Sequence, residues 1–418
     1  MTQLRDLPPT IGAICERVFD IATAGHHYVI FSTDSYDPDS IKSLERRRRG
    51  CAPERIVSGP SMVRPPSMSS FLANDKNKHR FNQLMLQVWS DNKMAPKIRD
   101  KCVVLIEEGS AYELSSNGTE VLPVQLEYLH TSQEETDTKV ILYCNYAVKK
   151  KLKNVIIKTV DSDIFFILLY HAAKFKSITI YLDTAIQGRS KLFNISSLAN
   201  KFGEQHCSEL LGLHAFTGSD TTSAFKGIGK VRPYKKIQKY RHFGAALSQL
   251  GDNAQVKPET QSALEKFTCK FYRDTNETSL DNLRYTILKS EIEKCKKARE
   301  TNGKERKTQT KRNIDLSRLP PPSKCVFEYG KRCNYQVAQW KAANERYPRL
   351  EKHDNGWIYG DGEVEPNWLM GDIMPNALLD NLDNADTNMT VDDTDDESST
   401  SGSDADEIDS DDDSDDEL

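Results

Sequence analysis

Between residues 101 and 183 the chain alternates short, continuously apolar runs with longer stretches in which apolar residues recur every three or four positions. KCVVLIEE (101–108), NVIIKTV (154–160) and SITIYLD (177–183) have the length and β-branched content of buried strands. Residues 133–150, with Val140, Ile141 and Tyr143 on one side, and DIFFILLYHAAK (163–174) have the period of helices. Unbroken apolar strands separated by helices predict an α/β fold, a parallel sheet with helices on both faces.

The flanks extend this pattern. Residues 1–26 predict a short helical lead-in, and residues 27–34, ending YVIFSTD, a buried strand that stops on Asp34. DSIKSLERRRRG (39–50) predicts a helix that Asp39 or Ser40 caps and Gly50 stops. Residues 51–70 carry Pro53, Pro60, Pro65 and Pro66 and predict a mobile loop, whereas 76–92 predict an amphipathic helix through Phe81, Leu84, Leu86, Val88 and Trp89. Residues 190–250 turn helical, and 257–300 add two more helices. The domain plan is a core over 1–255, a helical extension over 256–300 and a basic linker over 301–318. A small appendage over 319–380 holding Trp340, Trp357 and Trp368, and a disordered tail over 381–418, complete it.

Composition changes the picture through charge. The net charge of −5 hides two opposite parts. Residues 381–418 contain 14 Asp and 3 Glu and no Lys or Arg, which leaves 57 basic against 45 acidic residues in 1–380, a net of +12. A basic body suits a polyanionic partner, although lysine-rich faces also simply solvate a protein. Mean hydropathy is −0.63, and no run of 18 apolar residues or secretory leader is present, so neither a membrane nor an exported form is expected. Nine scattered cysteines without a C-x-x-C pair argue for free thiols in a reducing compartment.

The chemistry sits where the strands end. Asp34, Glu135 and Asp137 in SQEETDTKV, Asp161 and Asp163 in TVDSDIFF, and Asp220 in FTGSDTTSAFKGIGK all fall at predicted strand ends or helix starts. In open α/β sheets such positions face the ligand crevice. Each also has a structural explanation: an Asp caps a helix, and acids favour a helix N-terminus. Yet one cap needs one Asp, and Asp161 and Asp163 are two. Six carboxylates brought together are an all-oxygen ligand set for Mg2+ or Mn2+, and two ions roughly 4 Å apart suit phosphodiester hydrolysis. Downstream, Gly227 and Gly229 form a Gly-x-Gly turn followed by Lys230, Arg232, Lys235 and Lys236. Exposed backbone N–H groups there can grip a phosphate, and an ordinary helix-turn-helix with solvated lysines is the alternative.

These segments resemble the flap endonuclease/XPG group of the PIN-like superfamily. GSD…KGIGKVRPYKKI is similar to that group's helix-two-turn-helix, here at 214–245, which holds duplex DNA and often a K+. Glu135 with Asp137, Asp161 with Asp163, and Asp34 after YVIF match its metal-binding acids. The resemblance implies that Lys42 and one of Arg46, Arg47, Arg48 and Arg49 contact the attacked phosphate. It is closer still to an uncharacterised, transposon-associated subset, through Asp34-Ser35-Tyr36…Ser40-Ile41-Lys42, Glu134–Thr138 and Thr217–Ser223, and covers roughly residues 27–380. One departure is an expected first strand with its own metal-binding Asp, which is missing ahead of Asp34.

The resemblance implies a Mg2+-dependent, structure-specific endonuclease that cuts branched or flapped DNA, with no small-molecule cofactor. A catalytically degenerate DNA-binding protein of the same fold is the alternative. The acidic tail is a candidate contact for basic proteins, and Arg46–Arg49 with KERKTQTKR suggest a nuclear location, with a cytoplasmic one as the alternative.

Overall fold

The computed structural model describes residues 7–35, 41, 52–186, 189–301, 315–350, 354–360 and 363–368. The predicted helix at 39–50 (Ile41 apart), with Lys42 and Arg46–Arg49, falls outside the described residues, as do 302–314 of the linker and the whole acidic tail.

The described chain is mixed α/β. Its elements are α1 (Ile11–Thr23), β1 (Tyr28–Phe31), α2 (Met68–Leu72), α3 (Asp75–Trp89), α4 (Ala95–Ile98), β2 (Cys102–Glu107), β3 (Ser110–Ser116) and β4 (Val121–Gln125). There follow α5 (Thr136–Lys149), β5 (Asn154–Lys158), α6 (Ser162–Ala172), β6 (Thr179–Ile186), β7 (Arg189–Asn194) and the long α7 (Ile195–Phe216). The last are α8 (Val231–Lys239), α9 (Arg241–Ser248), α10 (Pro258–Tyr272), α11 (Leu280–Thr301), α12 (Ser323–Lys341) and the hairpin β8 (Trp357–Gly360) and β9 (Glu363–Pro366).

The described strands form two mixed sheets and a separate antiparallel pair, β8–β9, where one parallel sheet was expected. In the first, ordered β1-β2-β3-β4, only β1 and β2 are parallel, with Phe31 opposite Leu105. In the second, ordered β5-β6-β7, β5 and β6 are parallel and β7 is antiparallel. The hairpin strands β3, β4 and β7 are therefore additions to the predicted pattern, and β7 occupies the start of a stretch expected to be helical. At the β2–β3 turn Glu108 (φ 45°) and Gly109 (φ 77°) both lie in the left-handed region, the conformation a two-residue hairpin needs.

β2 shows why a strand reads as an unbroken apolar run. Val103 and Leu105 face one core and Val104 and Ile106 the other, all essentially inaccessible. The first core gathers α1, α2, α3 and α4, with Trp89 edge-on to Phe19 and Phe31 at ring-centroid distances of 5.3 and 5.5 Å. α1 enters it through Ile11, Ile14, Cys15, Val18 and Phe19, one helical stripe, and Thr10 caps its start by accepting from Ala13 N at 3.3 Å. The proline-rich loop expected to be mobile is strapped across this helix: Ile11 N donates to Met62 O and Gly12 N to Pro60 O, each at 2.9 Å.

The second, larger core lies between β5–β6, the inner face of β2 and helices α5, α6, α7, α9, α10 and α12. Trp340 and Cys333 of α12 are buried in it, and Tyr329 Oη donates to Phe216 O at 2.9 Å. The expected tryptophan appendage is thus corrected: α12 is an internal helix of the main core. Its apolar stripe packs on α7, and sequence spacing alone does not say which surface a stripe covers.

Candidate metal centre

The end of β1 is stapled to the start of α5. Thr33 Oγ1 donates to Ile106 O at 3.0 Å, Ser35 N donates to Glu134 O at 2.8 Å, and Ser32 Oγ lies 2.7 Å from Tyr143 Oη. Asp34 Oδ1 accepts from Thr136 N at 2.9 Å. Asp34 therefore does for α5 what Glu135, its N-cap residue, does not: Glu135 makes no side-chain capping bond.

Two residues into α5, Asp137 is buried, and it meets the first turn of α6. There Asp161 is the N-cap and accepts from Asp163 N at 2.8 Å. Asp137, Asp161 and Asp163 each place a carboxylate oxygen within 4.8 Å of the others. Asp34, Glu135 and Asp220 do not share that 4.8 Å set with the other three predicted ligands. The reason is local. Asp34 is engaged in capping, and Asp220 sits in the Ser219–Thr222 turn beyond α7, where Ser219 N donates to Thr222 Oγ1 at 2.9 Å.

The gathered set is held from below by a histidine that no motif singled out. His214 Nε2 lies 2.7 Å from Asp163 Oδ1, and its ring is stacked 4.1 Å from Phe166 and 5.7 Å from Trp340. Burial pushes the imidazole below its ordinary pKa, against the upward pull of Asp163. Neutral, it donates from Nε2 and leaves Nδ1, which has no partner among the described residues, as the bare lone pair. Asp220 and Lys230 also bear electrostatically on this ring, which places the fourth acidic segment beside the third. Nothing in the sequence pattern marks His214, which stands within an apolar helix six residues before Asp220.

Lys139 is the second group sequence reasoning missed. Its side chain is fully buried, and Nζ donates to Ser35 Oγ at 2.8 Å and Thr33 O at 3.3 Å. Burial pushes the ammonium down to about 8, while the charges of Asp34, Glu134 and Glu135 hold it up.

In the turn after α7, Gly218 (φ 111°) and Gly227 (φ 75°) take conformations that suit glycine. Lys230 Nζ folds onto the C-terminal end of α7, bonding His214 O at 3.2 Å, Thr217 Oγ1 at 3.3 Å and Gly218 O. Lys236 pairs with Asp274 at 3.2 Å, and Lys236, Lys239 and Lys270 surround the Asp274 carboxyl, which is held well below the usual range, the Lys239 bond first. Gly227, Gly229, Arg232 and Lys235 lie at the surface of the turn and the helix after it. Of the expected DNA contacts, exposed Lys230 thus bonds the end of α7 and Lys236 is engaged by an acid.

A separate group, His79, Glu107 and Glu108, lies at the β2–β3 turn, with His79 Nδ1 2.8 Å from Glu108 Oε1. Burial, then the neighbouring Glu108, raises the Glu107 carboxyl.

No protein-family model, curated protein or solved structure matches the chain. No described helix is long and apolar enough to cross a membrane.

Proposed function

We propose that the chain is a divalent-cation-dependent phosphodiesterase of the flap endonuclease/XPG type, with the PIN-like core that this implies, acting on branched or flapped DNA. The observation that carries the reading is the meeting of Asp137, Asp161 and Asp163, from two separate helix starts, within 4.8 Å. Three carboxylates so close repel one another unless protons or a cation intervene. An all-oxygen set suits Mg2+ or Mn2+. His214 fixes Asp163, as the carboxylates of metal sites are commonly fixed by a hydrogen-bonding neighbour.

Asp137, Asp161 and Asp163 would hold the ion. A divalent ion in such a site supplies charge neutralisation at the phosphate and an activated water. The chain's own residues do the rest. β1 and α5 set the position of Asp137, α6 that of Asp161 and Asp163, and Gly227, Gly229, Arg232 and Lys235 offer duplex backbone a non-specific grip. A K+ at the same turn, basic-protein contacts of the acidic tail and a nuclear location belong to the same proposal.

The test is cleavage of a labelled flap DNA by the purified chain in Mg2+ or Mn2+. The variant Asp161→Asn with Asp163→Asn is expected to lose cleavage and keep DNA binding. Equal cleavage by both proteins would falsify the reading. A chain that shifts flap DNA and never cuts it selects the non-catalytic DNA-binding alternative.

A further inference from the structure

We propose that segment 340–346, at the end of α12, is a clip that sets Asp137 against Asp161 and Asp163, with Arg346 and Gln133 as positioning residues. The inference rests on the proposed metal-dependent reading and names what holds that same centre in register.

Asp137 is delivered by a stretch without regular structure. Apart from one short 3-10 turn, Glu127–Leu129, residues 126–135 lie in neither helix nor strand. Such a stretch keeps one conformation only where bonds from elsewhere hold it. Arg346, 215 positions along the chain from Thr131, supplies several of them. Its side chain donates from Nε to His130 O at 2.8 Å and from Nη2 to Glu127 O. Its own carbonyl accepts from Thr131 Oγ1 at 2.6 Å and from Ser132 N at 3.1 Å. Buried Gln133 donates from Nε2 to Ala343 O at 3.1 Å and to Glu345 O. The next residue, Glu134, accepts from Ser35 N at the end of β1, and Asp137 follows three residues on.

The same segment supports the other carboxylates. Trp340 O accepts from His171 Nε2 of α6 at 2.8 Å, and the Trp340 ring lies against His214, which bonds Asp163 at 2.7 Å. The two mixed sheets share no strand among the described residues, so no ladder spans from the β1 end, where α5 starts, to the β5 end, where α6 starts. The end of α12 bonds to the approach of both. Ligand placement tolerates only about 0.5 Å of error.

The experiment is Mn2+ binding to the full chain without DNA, read as affinity by titration calorimetry and as the electron paramagnetic resonance line shape of the bound ion at saturation. Arg346→Ala releases His130 O and Glu127 O. It also removes a positive charge, which by itself strengthens cation binding, so weaker binding has to come from geometry. Arg346→Ala and Gln133→Leu are each expected to bind Mn2+ about 10- to 100-fold more weakly than wild type, with an altered line shape. The control is Trp89→Phe, which loses the Trp89 Nε1–Cys15 O bond of 2.9 Å in the first core. It lowers stability and is expected to leave both readouts as in wild type. Wild-type affinity or a wild-type line shape in folded Arg346→Ala overturns the proposal, as does an equal loss in Trp89→Phe, and either leaves the metal-dependent reading standing. Mn2+ binding unchanged by Asp161→Asn with Asp163→Asn overturns both. Arg346 is half-buried rather than a core residue, so its variant decides even where Gln133→Leu fails to fold.

Discussion

At the scale of single residues, the carboxylates were legible and their supports were not. Asp137, Asp161 and Asp163 stand out because acidic residues interrupt apolar runs where strands stop. His214 lies inside an apolar helix and reads there as a core histidine, and it is one, stacked between Phe166 and Trp340. Only the packing of α7 against α6 shows that the same ring also holds Asp163. Lys139 belongs to no motif, and it is fully buried. His214→Phe keeps an aromatic ring in the stack and removes the donor. It takes from the buried Asp163 carboxylate its His214 partner, at a cost of about 1–3 kcal/mol. Urea unfolding should show that loss, with part of it regained on adding Mn2+; unchanged stability would mean the His214–Asp163 bond contributes nothing.

At the scale of elements, the strands and helices with strong periodicity lie where the pattern puts them. β2, α5, β5, α6 and β6 begin and end within a few residues of expectation. The hairpin β3–β4 escaped because its outer strand has little to bury: Leu122, Pro123, Val124 and Gln125 of β4 are all exposed, so alternation gives no signal. The parallel-sheet expectation holds only for the β1–β2 and β5–β6 pairs. An apolar run does not by itself report burial on two faces: β2 has it within a mixed sheet, whereas β5, also expected to be buried, leaves Ile156 exposed. The α7–α9 contact carries a sharper constraint. A Cβ at Gly212 would stand 2.2 Å from Leu247 O, so the two helices touch backbone to backbone there. Gly212→Ala must push them apart, and overpacking of this kind costs about 1–3 kcal/mol. Because α7 carries both His214 and the turn bearing Asp220, the same variant should also weaken Mn2+ binding. A shifted denaturation midpoint with unaltered Mn2+ affinity would separate the helix contact from the centre.

At the scale of the whole molecule, the part expected to hang off the core holds it together. α12 runs through the main core, and the ring of His171 on α6 reaches its C-terminal turn, with Nε2 2.8 Å from Trp340 O. The sequence grouped Trp340 with Trp357 and Trp368 because they are near in the chain. What decides placement is the stripe of Val326, Tyr329, Cys333, Val337 and Trp340, which is long enough to need a large partner surface.

That burial gives the fold a pH dependence whose sign is fixed. Desolvation lowers the His171 imidazole to about 4, while an unfolded histidine titrates near 6.5. Between those values the unfolded chain takes up a proton that the folded one refuses. Stability is therefore fully present above about pH 6.5 and falls as pH drops towards 4. The loss from this residue is roughly 3 kcal/mol, since each tenfold difference in proton affinity between the folded and unfolded chain is worth about 1.4 kcal/mol. His214, lowered by the same cause, adds to the loss. His171→Gln retains an amide that can donate to Trp340 O and removes the titration. Urea midpoints taken from pH 7.5 to 4 should fall less steeply for this variant than for wild type. Parallel slopes would mean that the α6–α12 junction opens to water before the rest of the core does, and that acid finds His171 without unfolding the molecule.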